Sequence, residues 1–230
     1  MPISDHVAEV REAVAEVRER IAAARTRGGH GQPVTLIAVT KTHGPEAVEA
    51  AFAAGVEDVG ENRVQEAEQK MAQVSAPVRW HLIGHLQRNK ARAATRFHLV
   101  HGVDSERLAT ALHDEALRQS TTLDVLVQVN VSGEDSKGGF SLPELPAVAE
   151  RLTRMPALRV RGAMTMAPFD APETVLRQVF AGARSAREAL RQSGHPAEFL
   201  SMGMSGDFEV AVEEGATHVR LGTILFGSRT

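Results

Sequence analysis

The 230-residue sequence contains no cysteine, no tyrosine, one tryptophan and only four lysines (Lys41, Lys70, Lys90 and Lys137). Without cysteine there is no disulfide, no thiolate nucleophile and no cysteine-ligated metal. Without tyrosine, no phenol is available as a catalytic acid or base. The four lysines stand against twenty-two arginines. Arginine does not replace lysine as an amine nucleophile, so a lysine at a structural boundary in such a chain is suggestive. No apolar run approaches the roughly 18 residues that cross a bilayer. The start, Met1-Pro2-Ile3-Ser4-Asp5, has neither the basic nor the apolar region of a signal peptide. The expected location is the cytoplasm. A formal charge of −3 gives no reason to expect nucleic acid as a partner.

With 43% hydrophobic and 24% charged residues, the chain has the composition of an ordinary globular protein. No linker or low-complexity tract divides it, so residues 1–230 are expected to form a single domain. The first segment, about 4–27, reads as a helix. Val7, Val10, Val14, Val17 and Ile21 recur at spacings of three and four, and Ser4 is its expected N-cap. The stripe lasts barely three heptads, so it is expected to pack on the rest of the chain rather than form a coiled coil.

From residue 34 a strand-then-helix rhythm begins. Strands are expected over about 34–40, 56–59, 79–83, 97–103, 123–131, 158–164, 198–202 and 218–224. Helices are expected over about 45–54, 62–74, 87–95, 105–119, 143–154, 172–192 and 205–214. Alternating βα units imply a parallel sheet with right-handed crossovers. Eight of them over about 34–229 predict an α/β fold, a (β/α)8 TIM-type barrel with an extra N-terminal helix. An open doubly wound sheet is the competing architecture. Its usual G-x-G-x-x-G turn is absent after the first strand, where Lys41-Thr42-His43-Gly44-Pro45 stands instead.

In such a barrel the strand exits open on one face, where chemistry is done. The run Leu36-Ile37-Ala38-Val39-Thr40-Lys41 places a lysine at the exit of strand one. From this stretch alone two readings stand: a Schiff-base nucleophile or a solvated lysine closing a strand. Ser201-Met202-Gly203-Met204-Ser205-Gly206-Asp207 and Leu221-Gly222-Thr223 lie at the exits of strands seven and eight. They offer backbone N–H groups and hydroxyls suited to a phosphate. They also read as ordinary turn glycines with Ser205 as an N-cap. A lysine, a phosphate cradle and Arg220 together suit a ligand with an aldehyde at one end and a phosphate at the other, pyridoxal 5′-phosphate (PLP).

Those stretches, with Gly60-Glu61-Asn62-Arg63-Val64-Gln65-Glu66, Trp80-His81-Leu82-Ile83-Gly84-His85-Leu86-Gln87-Arg88-Asn89-Lys90, Ser136-Lys137-Gly138-Gly139-Phe140, Arg161-Gly162-Ala163-Met164 and Phe226-Gly227, resemble the pyridoxal phosphate homeostasis protein family. That family has the PLP-binding barrel of alanine racemase without its second domain. The resemblance implies a Schiff base on Lys41. It implies a phosphate held by Ser205, Gly222, Thr223 and the backbone around Met204. It places Arg220 against the pyridine nitrogen and Asn62 near the cofactor ring. No metal is implied. His85 stands where many relatives have proline and is assigned no role.

The resemblance implies intracellular PLP homeostasis, as a carrier or buffer without strong turnover. Arg220 disfavours a protonated pyridine, the tyrosine of related racemases is missing, and the end at Thr230 leaves no second domain to close over a substrate. Partners are then PLP, apo PLP-dependent enzymes and free amino acids, with no membrane, and the chain is a monomer or weak dimer. Two alternatives stay open: an amino-acid racemase using Lys41 and a histidine, His81 or His85, and a Schiff-base aldolase without PLP. Lys90 and Lys137 carry no assigned role, although Lys137 in its glycine-rich loop is a candidate second amine for PLP transfer.

Overall fold

Eight parallel strands pair in sequence order, and the eighth returns to pair with the first, so the sheet closes as a barrel. This computed structural model describes residues 3–134 and 138–227, and the side chains of 7–134 and 138–227. The Ser4 cap and Lys137 lie outside the described side chains. The strands are β1 (Thr35–Val39), β2 (Asp58–Glu61), β3 (Arg79–Leu82), β4 (Leu99–Val103), β5 (Leu123–Gln128), β6 (Leu158–Met164), β7 (Phe199–Ser201) and β8 (His218–Leu221). The closing register sets Ile37 opposite Arg220 and Ala38 opposite Leu221. No helix among the described residues is long and apolar enough to cross a membrane.

The helices are α1 (Ile3–Gly28), α2 (Pro45–Ala53), α3 (Val64–Met71), α4 (Ala91–Ala94), α5 (Glu106–Arg118), α6 (Leu145–Leu152), α7 (Glu173–Gln192), α8 (Phe208–Glu213) and α9 (Thr223–Phe226). The valine stripe of α1 is buried at Val10, Val14 and Val17, and the helix packs on α2 and α8. Arg27 and Arg20 pin it further through Glu213 and Glu209. The stripe is thus covered by this chain's own barrel. Ser105 caps α5 by accepting from the Leu108 N–H.

Several expected boundaries move, four of them for a clear local reason. Strand two begins at Asp58 rather than 56. Val56 N–H turns back to the Ala51 carbonyl, 2.9 Å, around Gly55 at φ +79°, which is a Schellman ending of α2. Strand five stops at Gln128, and Val129 makes only an isolated bridge to Phe140. Strand eight stops at Leu221; the Gly222 carbonyl accepts from Leu225 and Phe226, starting the unexpected α9. The helix expected over 87–95 is a 3-10 turn, Arg88–Lys90, followed by the single turn of α4.

Alternation along the strands sends one set of side chains to the helices and the other into the barrel. The outer set forms the main apolar core. Inside the barrel Leu99, Leu126 and Met164 form a small separate cluster. Around it the barrel interior is polar: His81, His101, Ser201, His218 and Arg220 are all buried. Buried groups of this kind need partners, and their partners organise the site.

Candidate functional site

Three rim segments converge because β1 lies between β8 and β2. Lys41 follows β1, Asn62 follows β2, and Gly222-Thr223 follow β8. Gly222 passes so close to β1 that a Cβ there would sit 3.2 Å from the Val39 carbonyl oxygen. The His43 ring meets the Phe226 ring at 5.2 Å, joining the loop after β1 to α9. Ser205 Oγ accepts from the Ile224 N–H at 3.4 Å, joining the loops after β7 and β8. Lys41 itself is exposed and makes no hydrogen bond to a described group.

The loop after β7 turns sharply at Gly203, φ +96°, where a Cβ would lie 2.7 Å from Ala211 Cβ. Only glycine suits both constraints. Asp207 Oδ1 takes the Met204 N–H at 2.5 Å. The Met204 N–H is therefore engaged within the loop. The N–H groups of Ser205 and Gly206 donate to no described group and remain as anion donors. Asp207 thus shapes the turn, which accounts for a carboxylate beside a phosphate-suited loop.

Arg220 stands beneath this rim with its guanidinium buried. It donates to Ser201 Oγ at 2.5 Å and to the Thr165 carbonyl at 3.0 Å. Burial pulls its pKa down to about 10, with Asp207 acting in the opposite sense, so it is a cation near neutrality. Asn62 is half-buried at the exit of β2. A Cβ at Gly84 would lie 2.4 Å from the Asn62 carbonyl oxygen, so glycine lets β3 leave close beside it. Asn130, also at a strand exit, is spent on its own loop through Glu134 and Gly133.

The geometry adds a clamp that the motifs did not reveal. Lys70 is buried and donates to Glu61 Oε1 at 2.6 Å and to the Thr40 carbonyl at 2.7 Å. Thr40 Oγ1 donates to the same Glu61 oxygen at 2.6 Å. Glu66 Oε1 accepts the Thr42 N–H at 2.5 Å. The carbonyl before Lys41 and the N–H after it are thus both held by α3. Thr42 sits at φ +69°, a strained conformation for a β-branched residue. Burial raises the Glu61 carboxyl above its usual range, against the pull of Lys70 and Thr40. A signal for the clamp exists in the sequence: Val64, Ala67 and Lys70 share the buried stripe of α3.

The two histidines of the racemase alternative are both engaged with other side chains. His81 lies inside the barrel and is bound at both ring nitrogens, by His101 at 3.0 Å and Asp58 at 2.9 Å. With Asp58, Arg79 and His218 it lines a cavity of about 450 Å³ that includes Thr35 and Phe199, at the opposite, N-terminal mouth. His85 is exposed and paired with Asp104 at 2.8 Å. Lys90 lies in the 3-10 turn after β3, where its backbone N–H donates to the Gln87 carbonyl at 2.9 Å and its amine bonds to no described residue. Among the described residues no group of His, Asp or Glu is arranged to hold a metal ion.

Comparison with known proteins gives one consistent set of relatives. Residues 13–230 match the family described as alanine racemase, N-terminal domain. The pyridoxal phosphate homeostasis protein of Pseudomonas aeruginosa is 44% identical over 198 residues, 85% of each chain. The protein of that name from Aquifex aeolicus is 40% identical over 208 residues, 88% of this chain and 91% of its own. Among solved structures, PipY of Synechococcus elongatus with PLP bound superposes with a TM-score of 0.84 at 36% identity, covering 95% of this chain and all of PipY. Alanine racemase from Corynebacterium glutamicum shares the fold at 18% identity and a TM-score of 0.75; 97% of this chain covers 62% of the racemase.

Proposed function

The chain belongs to the pyridoxal phosphate homeostasis protein family, and from that premise we propose that it binds PLP at the barrel rim as a Schiff base on Lys41 and serves as a PLP carrier or buffer. The residues present fit this ligand. Glycines at 203 and 222 let the loops after β7 and β8 pack closely on α8 and β1, where a Cβ would collide, while Gly206 between them faces open space. The N–H groups of Ser205 and Gly206, with the hydroxyls of Ser205 and Thr223, are donors for a phosphate. The exposed amine of Lys41 sits one strand away. The observation that carries the reading is this convergence of a clamped lysine, an anion cradle and a buried arginine at adjoining strand exits.

Each residue then has a task. Lys41 would hold the ligand through its aldehyde, a reversible linkage that retains it and releases it to another amine. Ser205, Gly222 and Thr223, with the backbone beside Met204, hold the phosphate. Asn62 borders the ring. Arg220 donates a hydrogen bond to the pyridine nitrogen; a guanidinium has no acceptor and keeps its charge, so that nitrogen stays unprotonated. When bound, PLP with an unprotonated ring supplies a reactive aldehyde but a weak electron sink.

That property supports storage and transfer over turnover. The pairing of His81 and His85 supports it too, since each ring is already hydrogen-bonded to a carboxylate. Apo PLP-dependent enzymes and free amino acids are the recipients this chemistry suits, and the intracellular compartment is where such transfer is needed.

The test is titration with PLP, borohydride reduction and peptide mapping. A visible band trapped on Lys41 is expected, and Lys41→Ala should lose it while remaining folded. A colourless protein, or an unchanged band in that variant, overturns the assignment.

A further inference from the structure

Arg220 is buried, yet no described carboxylate is hydrogen-bonded to it. Its charge is met instead by a file of side chains running through the barrel. Arg220 reaches Ser201 Oγ at 2.5 Å, and Ser201 Oγ lies 2.8 Å from His101 Nδ1. His101 Nε2 lies 3.0 Å from His81 Nδ1, and His81 Nε2 lies 2.9 Å from Asp58 Oδ1. Asp58 is held by Arg79 through two hydrogen bonds, 2.8 and 2.6 Å.

A guanidinium only donates and a carboxylate only accepts. With both rings neutral, those two ends leave one proton arrangement for the file. Arg220 donates to Ser201, and the Ser201 hydroxyl donates to His101 Nδ1. His101 donates through Nε2–H to His81 Nδ1, and His81 donates through Nε2–H to Asp58. Every contact carries one proton and all dipoles point the same way, the arrangement in which successive hydrogen bonds reinforce one another. The neutral state suits the site: His101 has no exposed surface, and burial, with the Arg220 charge nearby, holds its pKa well below the usual histidine value.

We propose that Ser201, His101 and His81 are positioning residues for Arg220, a one-way file that fixes its guanidinium and links its charge to Asp58, so that it meets the ligand's ring nitrogen as a rigid cation. The role toward PLP rests on the function proposed above; the file itself does not. All three are buried. Without Ser201, a buried guanidinium N–H loses its acceptor and the group is free to turn away from the ring.

The test has two parts. In the unliganded protein, ¹⁵N NMR of labelled histidine should find His101 and His81 both as neutral Nε2–H tautomers. In the PLP-loaded protein, Ser201→Ala and His101→Phe should still be trapped on Lys41 by borohydride. Both variants should show a displaced visible band and release PLP about five- to tenfold faster, the effect of one hydrogen bond of roughly 1–1.4 kcal/mol. His98→Asn is the control: the His98 ring meets His81 edge-on, ring centroids 5.5 Å apart, and lies outside the file, so band and release should match wild type. A His101 that is charged or carries its proton on Nδ1 overturns the file. Wild-type band and release in folded Ser201→Ala overturn its role toward Arg220. If wild-type protein traps no PLP, the proposed function fails, while the tautomers still judge the file.

Discussion

Replacing Lys70 by methionine tests how the lysine turn is held. The side-chain volume is kept, but the ammonium that meets Glu61 Oε1 and the Thr40 carbonyl is lost. Glu61 has no exposed surface, and its Oε2 already lacks a partner. In Lys70→Met only the Thr40 hydroxyl would remain on this carboxylate. Breaking a buried pair from one side costs roughly 3–5 kcal/mol. The charge part has a ceiling, because Glu61 can take up a proton. From an ordinary value near 4.3, protonation at pH 7 costs about 3.7 kcal/mol, and at pH 5 about 1 kcal/mol. The folded-state pKa of Glu61 is already raised and the variant raises it further. A raised carboxyl favours the folded state below its unfolded pKa and loses that advantage as pH rises through the folded value. The expected loss, read by urea unfolding, is therefore about 3–4 kcal/mol at pH 7 and shrinks by roughly 2 kcal/mol or more at pH 5. Glu61→Gln in the same background should recover stability at pH 7, since no charge is then stranded. A loss below about 1 kcal/mol at pH 7, or one equally large at pH 5, refutes the reasoning.

Two further outcomes follow from the same structure. Gly203→Ala combines a positive φ with a Cβ contact of 2.7 Å; it should cost roughly 1–3 kcal/mol and weaken PLP retention more than an Ala at Gly206, where a Cβ meets nothing within 4 Å. Acid should destabilise the protein early. Burial holds His218 down to about 3. The unfolded chain then binds a proton the folded one refuses, and stability falls as pH drops from about 6.5, by up to about 1.4 kcal/mol per pH unit. Asp58 acts in the same direction at lower pH: burial alone would raise it, but the hydrogen bonds of Arg79 and His81, with the charge of Arg79, hold it well below the usual carboxylate range. His218→Asn should flatten the profile between pH 6.5 and 3; an unchanged slope counts against a buried neutral His218.

The order of elements was legible because each strand and helix carries its own period and its own breakers. Lys41, Arg220 and the glycines of the last two loops could be singled out for the same reason: they stand at strand ends, and strand ends in a parallel barrel share a face. Boundaries were less legible where a turn took residues from a strand. Val56 has the composition of a strand but is used to close α2. Thr223 and Ile224 have it too, yet Gly222 turns them into α9.

By itself, the sequence determined the barrel, the absence of thiol and phenol chemistry, and the family whose motifs it carries, since composition and periodicity are properties of consecutive residues. Only the tertiary structure decided what stands behind the site. Lys70 reaches Lys41's turn because α3 lies beneath the rim, and His81, His101 and Ser201 meet because β3, β4 and β7 turn alternate side chains into one closed interior. Contacts across 20 to 100 residues of chain leave no local period to read. They follow from closure of the sheet and from the need of buried polar groups for partners.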